Sequence, residues 1–128
     1  MAEEKKIQNQ ILREFATRPE MRLWRANVGV AVPISYVKKI ERAVVKGDRE
    51  GALELLQFMP VIQFGVKGQA DLTGILPEGR RLEIEVKSET GRQSKEQKVF
   101  GDMINRKGGV YIVAKSIDDV STSIKPFL

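Results

Sequence analysis

The chain has 128 residues, 41% of them hydrophobic and 30% charged, with a net charge of +5 and neither histidine nor cysteine. That length suits one compact domain, and the two missing residue types exclude Ser-His-Asp and Cys-His catalysis, histidine acid–base chemistry, disulfides and the usual zinc sites. Any metal must therefore accept oxygen ligands alone, which favours Mg²⁺ or Mn²⁺, while the basic balance favours a polyanionic partner, nucleic acid first.

Met1 to Lys6 is charged where a secretory signal would be apolar, and no run approaches the ~20 apolar residues of a membrane span. The expectation is a cytoplasmic protein with no membrane contact. From Glu3 to Thr17, Ile7, Ile11, Leu12 and Phe15 recur at helical spacing until Pro19, predicting an amphipathic helix. Arg22 to Val28, ended by Gly29, reads as a short strand at a sheet edge, with Trp24 packed on that helix.

Residues 34–59 read as two helical pieces. Tyr36, Val37, Ile40, Val44 and Val45 form one stripe, Gly47-Asp48 breaks it, and Ala52, Leu53, Leu55, Leu56 and Met59 form the next before Pro60. This is a helical hairpin inserted ahead of the sheet, a cover or a contact surface. Val61 to Phe64 is a short strand, and Gly65-Val66-Lys67-Gly68 is a loop with two flexible hinges. Ala70 to Leu76 is a strand, Pro77-Glu78-Gly79 turns the chain, and Arg80 to Ser88 returns antiparallel. Ser94 to Arg106 is a helix with Val99, Phe100, Met103 and Ile104 inward, and Gly108-Gly109 ends it. Val110 to Ala114 is a continuous apolar run, expected as a central strand, and a last helix starts near Ile117. With no repeat and no linker, residues 1–128 are expected to form a single domain.

The chemistry concentrates on the hairpin. In the returning strand Glu83, Glu85 and Lys87 share one face, and Leu82, Ile84, Val86 and Ser88 the other. Pairing across the turn sets Asp71 opposite Glu85 or Val86, and cross-strand neighbours lie roughly 5 Å apart, within reach of a shared cation. Two carboxylates so close repel unless a cation neutralises them. Glu-x-Glu-x-Lys alone also describes a solvated charged face, and Glu83 is assigned to that. Asp71, entering a mostly apolar strand behind Gly68-Gln-Ala, is either a strand-start cap or a paired acid.

Gln97 has two compatible roles. Ser94-Lys-Glu-Gln97 matches a capping box, and the same helix start follows the Glu85-Val86-Lys87 strand closely enough for Gln97 to face a cation. On the first helix Glu4 falls in the middle of the apolar arc, Glu14 at its edge and Glu3 outside it. Glu4 then either escapes at a frayed helix end or faces a buried cation. Lys67, Arg80, Arg81, Arg92, Lys95 and Lys98 surround the same region. Lys67, Arg92 and Lys95 lie on the flanking loops and are the candidates for phosphate-backbone contacts.

Gly68-Gln-Ala-Asp71, Glu85-Val-Lys87 and Gln97 together resemble the PD-(D/E)xK nuclease superfamily, and more closely its virus-type replication-repair nuclease (VRR-NUC) family. Asn27-Val-Gly29, Gly91-Arg-Gln-Ser-Lys-Glu-Gln97 and Gly108-Gly109-Val-Tyr-Ile-Val113 fit that family in order and spacing, outside the insertion at about 34–59. The resemblance implies an α/β fold with a restriction-endonuclease-like core, a mixed β-sheet flanked by helices, and Mg²⁺- or Mn²⁺-dependent cleavage of DNA. It implies metal ligation by Asp71, Glu85 and the Val86 carbonyl, a water-orienting or charge-stabilising Lys87, support from Gln97, and a first-helix glutamate best matched by Glu4. Ala70 stands where the superfamily name has proline. Small members resemble Holliday-junction resolvases of phage or phage-infected bacteria and act as homodimers on branched DNA. A flap or end-processing nuclease, or a non-catalytic DNA-binding module on the same scaffold, are the alternatives.

Overall fold

Leu82, Ile84 and Val86 alternate with Glu83 and Glu85 along one strand, and that alternation sorts the two faces of the sheet. The computed structural model describes residues 2–26 and 29–128. Its elements are α1 (Ala2–Phe15), β1 (Arg22–Arg25), β2 (Gly29–Ala31), α2 (Ile34–Val45), α3 (Arg49–Gln57), β3 (Ile62–Phe64), β4 (Leu72–Ile75), β5 (Arg81–Val86), α4 (Lys95–Arg106), β6 (Val110–Ala114) and α5 (Ile117–Ile124). Asn27 and Val28, the end of the predicted first strand and the start of its Asn27-Val-Gly29 motif, lie outside the described residues.

The chain forms two compact units, Met1–Asn27 with Val66–Leu128, and Val28–Gly65. The larger holds a four-stranded mixed sheet in the order β1-β4-β5-β6, antiparallel except between β5 and β6. One face buries Leu23, Leu72, Leu82, Ile84, Val86 and Ile112 against Ile7, Ile11 and Phe15 of α1 and Val120 and Ile124 of α5. On the other face α4 packs over β5 and β6, and Phe100 and Ile104 form a smaller cluster with Ala70. This is an α/β fold with a mixed sheet flanked by helices. Among the described residues, no helix is long and apolar enough to cross a membrane.

Several expectations are corrected. Val110–Ala114 is an edge strand, and its apolar run reflects α4 and α5 covering its two faces rather than a central position. Trp24 does not pack on α1: Leu23 takes the core side, so Trp24 points to the opposite face and stays 47% exposed. Val99 is also exposed on α4. Glu83 is fully buried rather than solvated, bonded to Thr73 Oγ1 at 3.2 Å and Arg81 Nε at 2.8 Å.

The smaller unit pairs β2 with β3 and packs α2 on α3, whose start is capped by Asp48 accepting from the Gly51 amide at 2.9 Å. The two helical pieces and the Gly47-Asp48 break stand where predicted. Val37, Val44, Val45, Leu53 and Leu56 of their apolar stripes remain exposed, because two helices and a two-stranded ribbon cannot enclose both stripes.

Candidate active site

β4 begins at Leu72 while β5 continues to Val86, so the last residues of β5 lose their neighbour on that side. The carboxylate of Asp71 fills the gap: its Oδ2 accepts from the Val86 amide at 2.8 Å. Its own carbonyl accepts from the Ala26 amide at 2.9 Å, which fixes the backbone of Asp71 between β1 and β5. Leu72 pairs with Ile84, so the next pair outward sets Asp71 across from Glu85, on the α4 face. The Lys87 amide bonds Ala114 of β6, whereas the Val86 amide points to Asp71. Because the N–H and C=O of one strand residue share an edge, the Val86 carbonyl is turned to the Asp71 side as well.

Glu85 is the most constrained group of the site. Its side chain is 3% exposed; Oε1 accepts from Gln97 Nε2 at 2.7 Å and lies 3.3 Å from Lys87 Nζ. Its other oxygen, Oε2, is buried and has no hydrogen-bond partner among the described residues. Burial, then the Asp71 carboxylate, push its pKa up to about 7 against the pull of Lys87, and Glu4 adds to the rise. Lys87 Nζ pairs with Glu85 alone among the described residues, while the Asp71 and Glu4 carboxylates oppose ionisation of Glu85.

Gln97 forms the predicted cap and also reaches Glu85. Its Oε1 accepts from the Ser94 amide at 2.8 Å and its own amide donates to Ser94 Oγ at 3.1 Å, while Nε2 donates to Glu85. Capping the helix therefore also aims the amide at the acid. Glu4 sits half-buried at the start of α1, and its Oε1 accepts from the Ser88 amide at 3.3 Å. Glu14 instead pairs with Arg18 at 2.6 Å on the surface. Of these two acids, Glu4 is the one whose charge acts on Glu85.

The glycines of the motif have local reasons. Gly68 has φ +80°, and a Cβ there would lie 2.3 Å from the Glu96 carbonyl oxygen at the start of α4. The loop before Asp71 can approach that helix only without a side chain. Gly68→Ala is expected to lower stability by about 1–3 kcal/mol through the strained φ and the forced shift, read as a lower urea midpoint. At Gly91 a Cβ would stand 3.2 Å from Glu4 Oε1, so this glycine leaves room for the carboxylate.

Of the basic candidates, Lys67, Arg92 and Lys95 are exposed, and Lys67 lies 3.6 Å from Glu96. Arg80 and Arg81 are at the far end of β5 from Glu85 and do not join them: Arg80 donates to the Gly108 carbonyl at 2.8 Å, and Arg81 pairs with Glu83 at 2.7 Å. Tyr111 escaped the sequence reading. It lies across from Glu83 on β6, its hydroxyl accepts from Gln93 Nε2 at 3.1 Å, and burial followed by the nearby acids raises its pKa to about 12. Its place in an apolar run gave no polar signal.

Among the described residues no three acidic side chains stand close enough to form a carboxylate cage by themselves. Asp71 and Glu85 nonetheless offer hard oxygen donors, an unpartnered buried oxygen and a mutual repulsion that a cation would relieve, and these fit a hard divalent cation.

No family model matches the chain, and no curated protein matches it. Among solved structures it is similar to a chain described as "VRR_NUC domain protein", with a TM-score of 0.55 and 20% identity over 98% of this chain and 87% of that one. The likeness is one of fold: the chain folds similarly to that VRR-NUC domain protein.

Proposed function

We propose that this chain is a Mg²⁺- or Mn²⁺-dependent DNA endonuclease that hydrolyses phosphodiester bonds in branched DNA, in the manner of a junction resolvase. The observation that carries this reading is the combination, at buried Glu85, of an unpartnered Oε2, which Glu83 also has, with Asp71 across from it and Lys87 beside it. Asp71, Glu85 and the Val86 carbonyl would hold the cation. When bound, the ion supplies Lewis-acid polarisation of the phosphate and a water of lowered pKa. Lys87 Nζ would orient the attacking water and donate to the developing charge. Gln97 fixes one Glu85 oxygen and so leaves the other for the metal, and Glu4 would add negative charge at the rim. Lys67, Arg92 and Lys95 would take backbone phosphates. Paired cuts across a four-way junction would need a homodimer.

Labelled four-way, flap and blunt DNA incubated with Mg²⁺, Mn²⁺ or EDTA tests the reading. Metal-dependent, symmetric incision of the four-way substrate is expected. Cutting at a flap base or at ends assigns a flap or end-processing nuclease on the same fold. Binding without cleavage in either metal rejects catalysis in favour of a DNA-binding module.

The double use of Gln97 allows a sharper comparison. Ser94→Ala removes one cap bond and should cost about 1 kcal/mol of stability while Mn²⁺ affinity is kept. Gln97→Ala should cost similar stability and also weaken Mn²⁺ about tenfold or more, as loss of a group orienting a metal ligand does. Titration calorimetry on both variants separates the two effects, and equal metal affinities would remove Gln97 from the site.

A further inference from the structure

Glu83 and Trp24 are used by nothing described so far, yet both break the rules of their positions. A carboxylate is rarely buried without good reason, and a tryptophan is rarely left half in solvent. They belong to one cross-strand row: Trp24 pairs with Thr73 and Thr73 with Glu83, so all three side chains share the α4 face of the sheet. α4 packs over β5 and β6, and on the β1–β4 side Trp24 and Ile75 of that face stay exposed. A cleft of about 450 Å³ opens there, lined by Trp24, Thr73, Ile75 and Arg81 among others.

Arg81 is held in this cleft by the buried acid. Nε and Nη2 contact the same Glu83 oxygen at 2.8 and 2.7 Å, and the arginine side chain remains 56% exposed. Two of the three guanidinium nitrogens are thereby fixed, so the fork has a set direction without being covered. Arg22, two residues before Trp24 on the same face, is exposed and in no ion pair among the described residues. The row of Trp24 and Glu83 lies two strand positions from the row of Asp71 and Glu85, roughly 7 Å along the sheet.

An indole face flanked by arginines matches the chemistry of a nucleotide, with a base to stack and phosphates to neutralise. A base inside a duplex has both faces covered by its neighbours, so away from duplex ends only an unpaired nucleotide can present one to Trp24. We propose that the cleft of Trp24 and Arg81 is a subsite for an unpaired nucleotide beside the scissile phosphate, with the base stacked on Trp24, a phosphate on Arg81, and Glu83 acting as a positioning residue for Arg81. This rests on the nuclease reading and narrows its substrate to DNA with an unpaired stretch next to the cut.

Trp24 is the sole tryptophan, so its emission reports the cleft directly. The full chain in EDTA and low salt is titrated with single-stranded, forked and blunt duplex DNA, following fluorescence and the anisotropy of labelled DNA together. Single-stranded and forked DNA should quench the emission at saturation, and blunt duplex should bind with little quenching. Trp24→Ala should weaken forked DNA about tenfold, the scale of one stacked base, and Trp24→Phe should restore most of it. Glu83→Gln should weaken forked DNA only where Arg81 is present, so that it adds nothing to Arg81→Ala. Binding with unchanged emission overturns the subsite, and if metal-dependent cleavage persists the nuclease reading stands. Emission that shifts with protein concentration alone assigns the tryptophan to contact with a second copy and also overturns it. Absence of both binding and cleavage removes the nuclease reading with it.

Discussion

Asp71→Asn and Lys87→Ala should each lower metal-dependent DNA cleavage by at least about a thousandfold, the scale on which loss of a group acting on the reacting phosphate is felt. Neither change should unfold the protein. Asn can still accept from the Val86 amide, which is the structural duty of Asp71, and losing its charge relieves the repulsion on Glu85. Lys87 is 14% exposed and pairs with Glu85 alone among the described residues, so its loss leaves Glu85 more easily protonated while the core packing is untouched. Glu4→Gln should reduce the rate by a smaller factor, roughly tenfold, because Glu4 bonds to Ser88 at the edge of the site. Glu14→Gln should leave the rate unchanged, since that acid is tied to Arg18 on the surface. Single-turnover rates with Mg²⁺ on branched DNA, and circular dichroism for the fold, decide the point. Full activity in Asp71→Asn would end the assignment of this centre.

The neighbour relations within the candidate site were more legible in the sequence than the sheet around it. Strand alternation and the Pro77-Glu78-Gly79 turn limited Asp71 to Glu85 or Val86, and the structure uses both: the pairing register sets it across from Glu85, while its carboxylate accepts from the Val86 amide. Helical periodicity set Glu4 on the apolar arc of α1, and the Ser94-x-x-Gln97 spacing gave the cap. These are short-range patterns, set by backbone geometry within a few residues.

What failed depended on long-range cover. An apolar run such as Val110–Ala114 reports that both faces are buried, not how many strands flank it, so a strand covered by helices on two faces at the edge imitates a central one. Burial of Glu83 is hidden from the sequence because the cap over it comes from Arg81 and Thr73, and a side chain folding back along its own strand leaves no periodic trace. Trp24 does not reach α1, because alternation with Leu23 turns it to the opposite face. Trp24 and Glu83 belong to one cross-strand row, the row that forms the proposed nucleotide cleft. The departures from ordinary burial fell where the sheet face is left open beside the carboxylates.

The second large effect should appear without any DNA. With its pKa raised from 4.5 to about 7, Glu85 binds a proton more tightly in the folded than in the unfolded chain. The resulting stability is fully present below the unfolded value and is lost as pH rises through the folded one. Metal-free protein should therefore melt at a lower temperature at pH 8 than at pH 5, with the loss concentrated between about 4.5 and 7. Saturating Mn²⁺ should reverse the ordering, because ionised Asp71 and Glu85 are then occupied rather than opposed. At a free concentration a hundredfold above Kd the gain is about 2.7 kcal/mol, or on the order of 10 °C for a chain of this size. Glu85→Gln supplies a permanently neutral side chain of the same shape. It should raise the metal-free melting temperature at pH 8, flatten the pH dependence, and abolish the response to Mn²⁺. Thermal unfolding of both proteins at the two pH values, with Mn²⁺ and with EDTA, measures all of these. A Glu85→Gln variant still stabilised by Mn²⁺ as strongly as the wild type would place the metal elsewhere. The same variant melting below the wild type in EDTA at pH 8 would show that the charge on Glu85 is already compensated within the protein, leaving no electrostatic reason for a cation at that oxygen.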